Sequence, residues 1–164
     1  MATSESGFKK EFRDALLGFY KDSAHVWTNN DMFRSGLPDF SALYQSDYFA
    51  IEAKYVKELP VRGTSKVLDH ELTATQATFL QRTQETGGYG VVLIGFADIA
   101  VAVPFWEWSF RDKIPESNIT LERVKFVSKN LSFPKRKGHW DVSEFFKRIK
   151  ECAPQRLSSS PLLV

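Results

Sequence analysis

The sequence has few of the residues that staple a small fold or load it with metal. Among 164 residues there is one cysteine, Cys152, which excludes an internal disulfide and a thiolate zinc cluster. The three histidines, His25, His70 and His139, stand apart without the spacing of metal ligands. No apolar run approaches the roughly 20 residues of a membrane span. The opening MATSESGFKKEF lacks the apolar core of a secretory signal, so a reducing, cytoplasmic setting is expected. Neither a phosphate-cradling P-loop nor a glycine-rich dinucleotide fingerprint occurs, so no nucleotide cofactor is expected.

What is present suits one folded domain. Hydrophobic residues make up 43% and charged residues 26%, and fourteen Phe, five Tyr and four Trp supply a bulky core. A single domain is expected over 1–152, with a loose Ser- and Pro-containing tail over 153–164. The net charge of +2 is unevenly spread. Residues 121–150 hold nine Lys or Arg against three acids, an excess of six, which leaves −4 on the remainder. A basic third beside an acidic body suits a phosphate-binding surface next to an anionic site, although such a run is often only a solvated face.

The elements follow from periodicity. Phe8, Phe12, Ala15, Leu16 and Phe19 predict a helix over 5–21. His25–Thr28 is a strand candidate. Asp39–Tyr44 and Tyr48–Val56, around Gln45-Ser46-Asp47, read as a hairpin. Residues 57–71 read as a polar, mobile loop. A helix is expected over Thr73–Thr86, opened by the capping-box pattern Thr73-Ala74-Thr75-Gln76 and closed by Gly87-Gly88. Gly90–Phe96 and Ile99–Val103 are strands, the first apolar enough to be covered on both faces. The aromatic Pro104–Phe110 is expected to be a short helix that is core or subunit interface, Val124–Ser128 a strand, and Val142–Lys150 a helix. The result is a compact α/β domain.

The informative stretch is Gly36-Leu37-Pro38-Asp39, then Glu52-Ala53-Lys54. Strand alternation places Glu52 and Lys54 on one face and Ile51, Ala53 and Tyr55 on the other. A charged pair inside an otherwise apolar strand is costly unless it pairs or binds a metal. Asp39 opens the partner strand, within reach of Glu52, and two converging carboxylates make a hard oxygen site suited to Mg2+ or Mn2+. Each residue also has a structural explanation. Pro-Asp is a common turn pair, and Glu52 with Lys54 fits an exposed edge-strand ion pair.

Pro38-Asp39…Glu52-Ala53-Lys54 resembles the signature of the PD-(D/E)xK nuclease superfamily. Arg34-Ser35-Gly36-Leu37-Pro38-Asp39-Phe40, Phe49–Lys54 and Leu72-Thr73-Ala74-Thr75-Gln76 resemble its Holliday-junction-resolvase-like branch, which includes RecU-type and archaeal resolvases and VRR-NUC domains. The resemblance spans roughly residues 5–103. It implies a restriction-endonuclease-like core, a mixed β-sheet flanked by helices in αβββαβ order. It implies that Asp39 and Glu52 hold Mg2+ (or Mn2+) with the Ala53 backbone carbonyl, and that Lys54 is the catalytic lysine.

Glu11 would be the first-helix acid completing the metal site, and Gln76 the second-helix glutamine. Both have competing explanations: Glu11 lies about 60° from Phe8 at a border of the apolar stripe, and Gln76 is the N3 residue of a capping box. The function so implied is a metal-dependent, structure-selective endodeoxyribonuclease, first of all a homodimeric Holliday junction resolvase. The alternatives are a restriction, flap or repair nuclease of the superfamily, or a non-catalytic DNA-binding protein on the same fold. Arg34, Lys57, Arg62, Lys66, Lys135, Arg136 and Lys137, with the Lys147-Arg148-Lys150 group, are candidates for gripping the DNA backbone.

Overall fold

The computed structural model describes residues 4–29 and 36–154. Helix α1 (Glu5–Tyr20) starts at Ser4, whose hydroxyl accepts the Gly7 N–H. Phe8, Phe12, Leu16 and Tyr20 recur every fourth residue and are its buried stripe. Strands β1 (Ala24–Thr28), β2 (Phe40–Tyr44) and β3 (Asp47–Tyr55) follow, then α2 (Ala74–Glu85) and strands β4 (Tyr89–Phe96) and β5 (Ile99–Pro104). A short hairpin, β6 (Phe110–Arg111) with β7 (Ile114–Pro115), precedes α3 (Leu121–Leu131). The described chain closes with β8 (Ser132–Arg136), β9 (His139–Trp140) and α4 (Phe145–Cys152).

Seven strands form one sheet in the order β1-β2-β3-β4-β5-β8-β9. Only β3 and β4 run parallel, joined through α2; the other pairs are antiparallel. The sheet is therefore mixed, and the αβββαβ order expected for a restriction-endonuclease-like core is realised by α1, β1–β3, α2 and β4. Helices α1 and α4 cover one face. Phe8 packs on Tyr55, Phe12 on Phe145, and Phe146 on Phe49. Helix α2 lies on the opposite face, the one to which Glu52 and Lys54 point. Val91–Ile94 are fully buried, as a strand covered on both faces requires.

One expectation needs correction. Residues 124–128 are helical, not extended: Leu121, Val124, Val127 and Leu131 form one buried stripe and Thr120 caps its start. Two β-branched valines with few apolar neighbours mimic a strand when read over five residues only. The segment 104–110 holds the expected short helix, a 3-10 helix at Phe105–Glu107, with Phe105 and Trp108 buried in the chain's own core. The tail expected over 153–164 lies outside the described residues from 155 onward. Among the described residues, no helix is long and apolar enough to cross a membrane.

Residues 57–71 form a loop, but a docked one, because Val67, Leu68 and Leu72 are buried. Backbone bonds tie Val67 to Ile119, Leu72 to Ser117 and Leu121 to Ser65. The buried Asn118 completes the seam: its Oδ1 accepts the Leu68 N–H (2.9 Å) and its Nδ2 donates to the Leu68 carbonyl (2.9 Å). Asn118→Ala strands both groups, so urea unfolding should show a loss of about 2–3 kcal/mol. A loss under about 1 kcal/mol would mean that the loop repacks without it.

Candidate active site

The site begins with a mismatch in strand length. Gln45 and Ser46 form a two-residue turn at positive φ, which sets Phe40 opposite Ile51. Strand β2 starts there while β3 runs on to Tyr55, so among the described residues the Ala53 backbone faces an edge without a partner strand. Asp39 fills that place with its side chain: Oδ2 accepts the Ala53 N–H at 2.8 Å. A strand residue turns its N–H and C=O to the same edge, so the Ala53 carbonyl is presented beside the Asp39 carboxylate.

The Gly36–Asp39 segment is held from two sides. Asn29 donates its backbone N–H to the Asp39 carbonyl (3.2 Å) and its Nδ2 to Pro38 O (3.0 Å) and Ser41 Oγ (2.9 Å). On the other side Gly36, at φ +88°, passes the α2 N-terminus so closely that a Cβ would stand 2.7 Å from that of Thr75. Only glycine meets both demands.

Glu52 reaches the same point from the α2 face and is only 2% exposed. Its Oε1 accepts from Gln76 Nε2 at 2.8 Å, while its Oε2 is buried with no hydrogen-bond partner among the described residues. Gln76 makes two contacts at once. Its Oε1 accepts the Thr73 N–H (2.9 Å) to complete the capping box, and its Nε2 holds Glu52. Lys54, two residues on, is 6% exposed on the same face, with its charge within reach of Glu52. Burial first, and then the charge of Asp39, push the Glu52 carboxyl up to about 8, against the pull of Lys54 and Lys9.

Helix α1 contributes a cation that the sequence reading missed. Lys9 Nζ lies 2.9 Å from Asp39 Oδ1 and 3.9 Å from Glu5 Oε2. Burial disfavours its charge, but the hydrogen bond to Asp39 and the charges of Asp39, Glu5 and Glu52 outweigh that and hold its pKa above the ordinary lysine value. Glu5 keeps its other oxygen, Oε1, buried without a partner among the described residues. The available signal was the i, i+4 row Glu5–Lys9–Arg13 beside the apolar stripe.

Glu11 is not at the site. It sits two residues beyond Lys9, about 200° round the helix. Its Oε1 accepts from Lys135 Nζ at 2.6 Å, on the side of α1 that meets β9. Among the described residues no point gathers three or more His, Cys, Asp or Glu side chains. The donor set that remains still fits a divalent cation: two neighbouring carboxylates, one with a buried oxygen unpaired among the described residues, and a carbonyl on the same edge. Mg2+ commonly takes one or two carboxylates and keeps waters for the rest.

The basic candidates divide. Arg34 lies outside the described residues. Lys57 and Arg62 are exposed beyond β3. Lys66 donates to Glu116 at 3.0 Å. Lys135 is turned inward, 9% exposed, bound to Glu11 and resting over the Trp140 ring, so it is not free to meet a phosphate. Arg136, paired with Asp141 at 3.3 Å, and Lys137 are exposed at the β8–β9 turn. That turn projects from the same end of the sheet as the site, three strand spacings along, or roughly 14 Å. The Lys147-Arg148-Lys150 group is largely structural: Arg148 holds the Asn130 and Ser132 carbonyls and Lys150 binds Asp47.

The raised Glu52 carboxyl sets a pH dependence. Folded chains without a divalent ion bind a proton there that unfolded chains release near the ordinary value of 4.5. The unfolded state then holds fewer protons, so stability falls as pH rises from about 5 to about 8. Thermal melts in EDTA across that range should show the decline, and millimolar Mg2+ at pH 8 should reverse it. A profile that rises with pH, or is unchanged in Glu52→Gln, would contradict this.

No protein-family model matches the chain, and no curated protein does. Among solved structures it is similar to Hjc from the archaeal hyperthermophile Archaeoglobus fulgidus, a Holliday junction resolvase, at 18% sequence identity and a TM-score of 0.44. The match covers 73% of this chain and 96% of that one. At that distance the chemistry has to be read from the chain's own side chains.

Proposed function

We propose that this chain is a metal-dependent endodeoxyribonuclease acting on branched DNA, with the four-way junction as its substrate. The observation that carries the reading is that Asp39 and the buried Glu52 converge at the mouth of a strand pair closely enough for the charge of one to disfavour that of the other, with Lys54 on the Glu52 face. Two neighbouring acids whose charges oppose each other, one of them buried, are costly to a fold, and a cation between them offsets that cost. Asp39, Glu52 and the Ala53 carbonyl would hold Mg2+ or Mn2+. When bound, the ion supplies Lewis acidity at a phosphate oxygen and lowers the pKa of a coordinated water.

The chain's own residues do the rest. The Ala53 N–H and Asn29 fix Asp39, and Gln76 fixes Glu52, so both carboxylates are preorganised on rigid elements. Lys54 brings a positive charge to the side where phosphate charge develops in the transition state. Lys57, Arg62 and the Arg136-Lys137 turn stand at the same sheet end and would follow the phosphate backbone, with strong salt dependence and little sequence preference. Symmetric cutting of a junction requires two sites related by a two-fold axis, hence two copies of the chain.

The test is cleavage of labelled four-way junction, flap, linear duplex and single-stranded DNA in Mg2+, in Mn2+ and in EDTA. Paired symmetric nicks in the junction, abolished by EDTA and by Lys54→Ala, are expected. Equal cutting of every substrate would leave a nuclease without junction preference. Junction binding with no metal-dependent cleavage would leave a binding protein.

A further inference from the structure

We infer that Lys9 is a built-in competitor of the divalent cation: its ammonium takes the place beside Asp39 that the ion would fill, and it has to leave for the ion to bind. This rests on the reading of Asp39 and Glu52 as metal carboxylates. The ammonium approaches from α1, on the face of the sheet opposite α2, while Glu52 approaches from the α2 face. Asp39 stands in the slot between the two, just before β2 begins.

Lys9 contacts Asp39 Oδ1, the oxygen not committed to the Ala53 N–H. It is the oxygen a metal would need. The same ammonium lies 3.9 Å from Glu5 Oε2, so one cation serves two acids, one on α1 and one at the entry to β2, in the metal-free chain. A dipositive ion placed against the same carboxylates would repel an ammonium only a few ångströms away. The lysine has room to withdraw. A cleft of roughly 270 Å³, lined by Lys10, Arg13, Thr28 and Asn29, opens beside it, and its stem is flexible. Lys9 is thus a positioning residue: it holds the Asp39 carboxylate in place before metal arrives and sets the metal concentration at which the site fills.

The test is direct binding of Mn2+ to the full chain without DNA, followed by the paramagnetic resonance of free Mn2+. Removing the charge in Lys9→Met should tighten binding by at least about fivefold, a modest coupling between two occupants of one site. Lys9→Arg keeps a cation there and should stay within about twofold of wild type. Lys125→Gln, an exposed α3 position, removes a charge far from the site and should do the same. Asp39→Asn should abolish binding. Lys9→Gln replaces Lys9→Met if the latter fails to fold. Unchanged or weaker binding in Lys9→Met overturns the competitor role while leaving the carboxylate site intact. Equal tightening in Lys125→Gln reduces the effect to net charge and also overturns it. A wild-type chain that binds no Mn2+ at millimolar concentration overturns this inference together with the metal reading beneath it.

Discussion

Asp39→Asn and Glu52→Gln should each lower metal-dependent cleavage by at least about 10³-fold, the several kcal/mol of transition-state stabilisation that a bound ion supplies. The two variants should part company in stability. In Glu52→Gln the new side-chain oxygen still accepts from Gln76 Nε2, so the bond that seats the side chain on α2 survives. What disappears is a negative charge buried near Asp39 and an oxygen with no partner among the described residues. The metal-free variant should therefore be more stable than wild type at pH 8, by about 1 kcal/mol in urea unfolding, while inactive. A structural ion pair predicts the reverse, because removing one partner of a buried pair strands the other charge. Loss of stability in Glu52→Gln at pH 8 in EDTA would thus count against the site. Asp39→Asn should be neutral or mildly destabilising, since it gives up the charge that holds Lys9 while an amide oxygen can still accept the Ala53 N–H.

Gly90→Ala should be the most disruptive small change far from the chemistry. Gly90 lies on β4 directly beneath α2, and an added Cβ would stand 2.6 Å from the Leu80 carbonyl oxygen and 3.2 Å from its carbon. Both are backbone atoms of a helix, so no side chain can swing aside. The helix has to lift. Overpacking of this kind costs about 3 kcal/mol. Helix α2 also carries Gln76, so cleavage should fall with stability even though the carboxylates are untouched. Gly18→Ala is the matched control: nothing lies within 4 Å of its added Cβ, and alanine in an exposed helical position should add about 0.5–1 kcal/mol. Denaturant curves and a junction-cleavage rate on both variants decide it. A Gly90→Ala midpoint equal to wild type would show that α2 is not seated on that strand as described.

Much of this was legible from local chemistry. The four-residue recurrence of Phe8, Phe12 and Leu16, the capping box at Thr73–Gln76 and the Val91–Ile94 run specify their elements through backbone and side-chain periodicity, which needs no partner. Strand alternation likewise put Glu52 and Lys54 on one face before any fold was known. The strand expected at 124–128 failed because its helical stripe runs from Leu121 to Leu131, longer than the window that made it look extended.

The sequence by itself determined that two carboxylates and a lysine sit on a hairpin in an apolar setting, because spacing within a strand is local. Which border of α1 meets them was a tertiary decision. The apolar stripe has two polar borders, one bearing Glu11 and the other Glu5 and Lys9, and nothing in the helix distinguishes them. The tilt and handedness with which α1 packs across β3 turned Lys9 toward Asp39 and Glu11 toward Lys135. The basic third was divided in the same way. Composition supplied nine cations over residues 121–150, but the packing of β8, β9 and α4 turned Lys135, Arg148 and Lys150 to internal partners and left Lys137 exposed at the turn. Charge along a chain is fixed by sequence; where it points is fixed by the neighbours that fold against it.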